Sequence, residues 1–266
     1  MSMLTDPRAL TRNRARAHEM LLQIAARDDV QDRLSMVNKP FRAPVVVSGF
    51  PEVWQKALPQ AVVVADDEVL KLTPSGHDLA VHSMSLHWAN DPVGQLIQCR
   101  RALRPDGLLL ALSLGGQTLH ELRACLGQAE VQVTGGLSPR VAPMAELRDL
   151  GALLQRAGLA LPVADARTLT LEYRDMWHLM RDLRAMGEGN ALHNRIRHQS
   201  RRAIFDAAAK LYAERFPSDT GIRATFEIIT LTGWAPDSSQ PHPLRPGSAQ
   251  ARLADALGVD ETSLRD

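Results

Sequence analysis

Cysteine, lysine and aromatic residues are scarce in this chain, and each scarcity excludes something. Of 266 residues only Cys99 and Cys125 are cysteines. They form no Cys-x-x-Cys pair and both sit in helix-like patterns, so neither a disulfide framework nor a zinc site follows. Lysine occurs only at 39, 56, 71 and 210, which leaves arginine to carry nearly all the positive charge, a coding bias of a GC-rich genome. No apolar run approaches the ~20 residues of a membrane-spanning helix; the longest, such as Leu108 to Leu112, are strand-sized. With 31 Lys+Arg against 30 Asp+Glu the net charge is +1, so no bulk field holds the chain on nucleic acid or anionic lipid, and nucleic acid is not expected as a partner. The first twenty residues are arginine-rich but lack the apolar core of a secretory signal. Asp6 and Glu19 also count against a transit peptide, and a cytoplasmic location is expected.

What is present is a globular composition, 45% hydrophobic and 23% charged, over a length that suits one domain, 1–266. Within it a helical segment, 1–38, precedes the first strand, and a Pro- and Ser-rich tail, 235–266, ends in a short helix near 249–257. Asp6 and Pro7 open an N-terminal helix with Leu10, Ala17, Leu21 and Ile24 on its apolar face, followed by a second short helix, 30–37. The period then changes. The stretches 43–48, 61–65, 77–83 and 108–114 are continuous apolar runs, as expected of strands buried on both faces. Helices starting at Phe50-Pro51 and Asp91-Pro92 lie between them, and Arg104-Pro105-Asp106-Gly107 reads as a turn. Strands alternating with helices predict an α/β fold with a parallel sheet. The second half is more helical, with helices near 119–129, 147–157, 176–186 and 200–216. Short strands are expected at 161–165 and 168–173, and a last strand at 224–234.

From His77 to Gly116 the text HDLAVHSMSLHWANDPVGQLIQCRRALRPDGLLLALSLGG resembles methyltransferase-domain proteins near the biotin-pathway malonyl-carrier-protein methyltransferases. Further blocks are similar to the mitochondrial complex I assembly factors of arginine hydroxylase type and their bacterial relatives. These are Thr118 to Arg123, Gly135 to Pro139, Asp149 to Gly151, Gln155 to Gly158, Met180 to Glu188, Ala224 to Glu227 and Gly233-Trp234. The resemblance implies a Rossmann-like class I methyltransferase sheet with extra helices, S-adenosylmethionine (SAM) as cofactor, and an unknown small-molecule or protein acceptor.

The chain departs from that family where the cofactor would lie. A SAM site needs a glycine-rich turn after the first strand, because backbone approaches the ligand, and an acid after the second for the ribose. Here Ser48-Gly49-Phe50-Pro51 supplies one glycine and the glycine-rich motif is missing. The next strand follows too soon, and its ending, Asp66-Asp67-Glu68, resembles the family's third strand, whose acid meets the adenine. The sheet is therefore expected to be shortened by one β-α unit. Candidate cofactor-binding residues are Ser48, Gly49, Asp66, Asp67, His87 and Trp88, with His87 also the candidate general base. Each has a plainer alternative: the acids could cap a loop, and His87-Trp88 could be packed core. Gly115-Gly116 could admit a ligand or end a strand, His82 reads as a satisfied core residue, and no metal site is expected. The basic run Arg195, Arg197, His198, Arg201 and Arg202 reads as a solvated face or a dock for an acidic partner. Two functions stay open: a SAM-dependent methyltransferase-like protein acting on an unknown acceptor, or a degenerate, non-catalytic member that binds a protein partner, for instance in assembling a respiratory complex. A third, hydroxylation, rests on family analogy alone.

Overall fold

A computed structural model describes residues 3–241 and residue 258 of the chain. One compact unit covers Met1–Pro236 and a second covers Asp237–Asp266; the helix expected at 249–257 lies outside the described residues. The first unit is a twisted sheet with helices on both faces. Its strands are β1 (Pro44–Ser48), β2 (Val62–Val64), β3 (His77–Ser83), β4 (Leu103–Leu114), β5 (Ala160–Tyr173), β6 (Pro217–Ser218) and β7 (Gly221–Trp234). Their order is β2-β1-β3-β4-β7-β5, with β6 pairing β7. The first four are parallel to one another, while β7 runs antiparallel to both β4 and β5.

The short edge strand shows what the missing unit does to the sheet. β2 is joined to β1 through one small helix, α3 (Pro51–Ala57), and pairs straight onto it with Val45 opposite Val62 and Val47 opposite Val64. The sheet has thus closed over the gap by re-pairing. Alternation along the strands then separates two cores. Val46, Val81, Leu110 and Leu112 face a large layer that includes α3, α5 (His120–Thr134), α7 (Met176–Ala185) and α8 (Arg202–Arg215), whereas Val45, Val47, Ala80, Leu109 and Ala111 face α4 (Pro92–Ala102) and α6 (Leu147–Arg156).

Local signals account for several boundaries. The Asp6 carboxylate accepts from the Arg8 and Ala9 N–H groups and Pro7 starts α1 (Pro7–Arg14); Asp91 does the same for Gly94 at the start of α4. The N-terminal segment departs from expectation. α1 stops at Arg14 and a single α2 runs Leu21–Met36, because the His18 and Glu19 N–H groups turn aside to the Ala185 carbonyl at 2.8 and 3.0 Å. The buried face is Ala9, Leu22, Ala26 and Val30, while Leu21 and Ile24 are 43% and 41% exposed. Residues 104–107 turn as expected, but inside β4: His77 pairs Leu103 and Leu79 pairs Leu108, so the intervening residues bulge, with Asp106 at φ 57°. The two strands expected at 161–173 are one, β5, with an irregularity between Ala160 and Val163.

Candidate functional site

Ligands of open α/β sheets bind beyond the carboxyl ends of the parallel strands. Two different environments meet there, divided by Trp88. On the β1 and β2 side, Ser48 is buried and its hydroxyl accepts the Phe50 N–H at 3.0 Å, closing the turn. Above Gly49 lies the Arg14 side chain: a Cβ at Gly49 would stand 2.5 Å from Arg14 Nη1 and 2.7 Å from Cζ. Arg14 Nη1 donates to both oxygens of Asp66 at 2.7 Å, both side chains being 12% exposed, and its guanidinium lies 5.8 Å over the Phe50 ring. Asp67 is exposed, and its carbonyl accepts from Gln95 Nε2 at 2.8 Å.

What remains beside Asp66, His82, Ser85, Trp88 and Gln95 is a space of about 30 Å³, room for one or two waters. His82 Nε2 lies 3.1 Å from Gln95 Oε1, which assigns the proton to Nε2. His82 Nδ1 and Ser85 Oγ are buried without partners among the described residues, so there His82 is only half satisfied. Burial pushes the His82 pKa down and keeps the ring neutral. A shallower groove of about 490 Å³ runs between the first turns of α1 and the loops carrying Asp66 to Val69 and Trp88 to Asp91. Neither Ser48 nor Gly49 lines either space.

Around Gly49 and Asp66 the geometry is set by Arg14. The one glycine that could let a cofactor approach backbone is covered by a guanidinium, the acid expected at the adenine is held by the same guanidinium, the enclosed space beside that acid is water-sized, and the groove of about 490 Å³ is lined by neither Ser48 nor Gly49. With α1 where it lies, the place does not fit the cofactor. No group of three or more His, Cys, Asp and Glu among the described residues is arranged to hold a metal ion.

On the other side of Trp88 the sheet opens into an apolar cleft of about 250 Å³, walled by Leu114, Leu122, Met180, Phe205 and Phe226 among others, with Arg140 and Arg184 also lining it. Arg140 is spent on Glu130, through bonds of 3.0 and 2.7 Å. One carboxylate lines the cleft, Glu188, whose side chain is 8% exposed. Its Oε2 accepts from Trp88 Nε1 at 2.9 Å and lies 3.5 Å from His87 Nε2, while no hydrogen bond among the described residues uses Oε1. Burial alone would raise the Glu188 pKa; the His87 and Trp88 bonds and the charge of Arg14 outweigh it and hold the carboxyl below its ordinary range.

His87 sits behind this carboxylate. Its Nδ1 accepts the Leu114 N–H at 3.4 Å and its Nε2 points to Glu188, so both nitrogens are committed and the ring orients Glu188 instead of facing a ligand. The candidate residues therefore divide: Gly49 and Asp66 meet around Arg14, Trp88 and His87 meet around Glu188, Ser48 bonds within its own turn, and Asp67 accepts from Gln95 through its carbonyl. At Gly115 and Gly116 the carboxylates of Glu227 and Glu146 lie where a Cβ would stand. In the basic run, Arg195 pairs with Asp6 at 2.9 Å and Arg197 lies 3.6 Å from it, pinning the N-terminus. Glu188 and Arg14 were not singled out from the sequence. Glu188 had a signal, since it closes the Met180 to Glu188 block, but nothing local marks an arginine 52 residues before its acid.

This is a methyltransferase-type α/β sheet, and the comparisons with known proteins agree. Residues 46–111 match the model of a methyltransferase domain. The YcgJ protein of Bacillus subtilis superposes with a TM-score of 0.50 over 80% of this chain and 99% of that one, at 10% identity, a likeness of fold alone. The particular relatives are more informative. The mitochondrial arginine-hydroxylase NDUFAF5 of Danio rerio is 35% identical over 245 residues, 91% of this chain and 76% of that protein. The malonyl-[acyl-carrier protein] O-methyltransferase of Methylovorus sp. is 36% identical over 176 residues, 66% of this chain and 57% of that protein. The chain belongs to the family of the arginine-hydroxylase NDUFAF5 proteins. Among the described residues no helix is long and apolar enough to cross a membrane.

Proposed function

We propose that this chain is a non-catalytic member of its methyltransferase-like family, and that it binds an arginine side chain of a protein partner in the cleft beside Trp88. The observation that carries this reading is Glu188: a buried carboxylate, held ionised, with one oxygen unpartnered in an apolar cleft. Such an oxygen suits a cationic donor, because hydrogen bonds between oppositely charged groups are shorter and stronger than neutral ones. Trp88, which also lines the cleft, supplies an aromatic ring beside Glu188 for a guanidinium. The relatives' name supplies arginine as the side chain, and the mismatch at the SAM place supports binding over methyl transfer. The cytoplasmic location expected from the sequence belongs to this proposal, against relatives named as mitochondrial, and fractionation of the source cells tests it.

Calorimetric titration of the purified protein with a short arginine-bearing peptide and its leucine analogue tests the binding. The arginine peptide is expected to bind at least tenfold more tightly, and Glu188→Gln to erase that preference. Equal affinity for the two peptides would remove Glu188 from any recognition role.

A further inference from the structure

We infer that Arg14 is a built-in occupant of the cofactor's place, and that the segment bearing it is a fixed part of the domain and not a lid. The mismatch with SAM is therefore lasting. Asp66 remains at the end of β2, its side chain 12% exposed, and a carboxylate so placed needs a counter-charge when no ligand provides one. Arg14 provides it with two bonds of 2.7 Å. Gly49 then has a use without a cofactor, since its missing Cβ leaves the space in which the guanidinium lies.

α1 is held at several points. A lid is tied at few points so that it can leave. Here both walls of the site grip the segment. On one wall the Leu4 and Thr5 N–H groups donate to Asn90 Oδ1 at 2.9 Å. On the other, the Asp6 N–H donates to the Ala191 carbonyl and the His193 N–H to the Leu4 carbonyl, both at 2.8 Å. The Asn13 amide donates to the Gly189 carbonyl at 2.9 Å, and Asp6 is paired with Arg195. Beyond Arg14, the His18 and Glu19 N–H groups are tied to Ala185. Lifting α1 breaks all of these and strands Asp66, so the closed arrangement is the folded state itself.

The inference does not depend on the cleft reading, and its test is separate. The full chain, with Arg14→Met, Asp66→Asn and the double variant, is titrated with SAM and with S-adenosylhomocysteine to millimolar concentration while the melting temperature and heat of binding are followed. No thermal shift is expected in any of the four proteins. Each single variant is expected to melt several degrees lower, because it leaves one partner unpaired, and the double variant to recover most of the loss. A thermal shift of the unaltered chain by SAM, or SAM binding gained in Arg14→Met, overturns the inference and makes α1 a lid. Hydrogen exchange on the unaltered chain covers the case in which a variant fails to fold. Amides of residues 10–14 are expected to be protected within tenfold of those of β1, and protection a hundredfold weaker would also overturn it.

Discussion

The two sides of Trp88 use the same sheet for opposite ends. On the β1–β2 side Arg14 and Asp66 satisfy each other, the enclosed space beside them is about 30 Å³, and the groove of about 490 Å³ over the neighbouring loops is lined by neither Ser48 nor Gly49. On the β4 side a cleft of about 250 Å³ persists, and its one buried carboxylate keeps an oxygen free. A fold can thus satisfy the charges of one ligand place from within, Arg14 on Asp66, while in the other the Oε1 of Glu188 takes part in no hydrogen bond among the described residues. The closed half is tied together by charge and main-chain bonds, the open half by apolar packing, and this difference can be probed from either side.

The harshest way to break the contrast is to remove residues 1–38. Leu22, Ala26 and Val30 leave the large core with α2 and Asp66 loses Arg14, so the truncated chain is expected to aggregate, as size-exclusion chromatography would show. A soluble, monomeric truncation with unchanged melting would mean that the closed half does not need its cover. On the open side, Phe226→Ala cuts a fully buried ring that also lines the cleft. Denaturant titration should show a loss of about 3–5 kcal/mol.

Acid separates the halves more gently. His82 is held neutral by burial, with its folded pKa below the ordinary value, whereas the unfolded ring takes a proton near pH 6.5. The stability is therefore complete above about pH 6.5 and lost as the pH falls below it, by at most about 1.4 kcal/mol per unit. His82→Gln should flatten that slope. Glu188 behaves in the opposite sense on the open side: its carboxyl is depressed, so arginine-peptide affinity should stay level from pH 8 to about pH 5 and fall only under more acid conditions. A loss of affinity between pH 7 and 6 would shift attention from Glu188 to a histidine.

The sheet could be read from sequence because β1, β3 and β4 are unbroken apolar runs whose burial on both faces is written in their composition. Even the missing unit was legible, from the few residues between Ser48 and Ala61. The break at Ala15 to Met20 was not, since no glycine or proline marks it and its cause is the distant Ala185 carbonyl. The site divided the same way. Asp66, Gly49, His87 and Trp88 stand beside strand ends, where pattern reading looks first. The residues that give them meaning, Arg14 and Glu188, reach them from 52 and 100 positions away, and a single sequence carries no mark of such a meeting. His87 was found for its residue type, while its task of steering Glu188 depends on the Leu114 N–H, which only the folded chain brings near.

The ties between α1 and the 189–195 segment also impose an order of assembly. Asn13 and Gly189 are 176 residues apart, and Asp6 and Arg195 are 189 apart. At ribosomal speeds of roughly 5–20 residues per second the N-terminal segment waits on the order of 10–40 s before its anchors exist. Through that interval α1 lacks the anchors that hold it over the ends of β1 and β2. The part of the chain made earliest is thus among the last to settle. Until then the nascent protein displays at its sheet edge the surface that the finished one conceals.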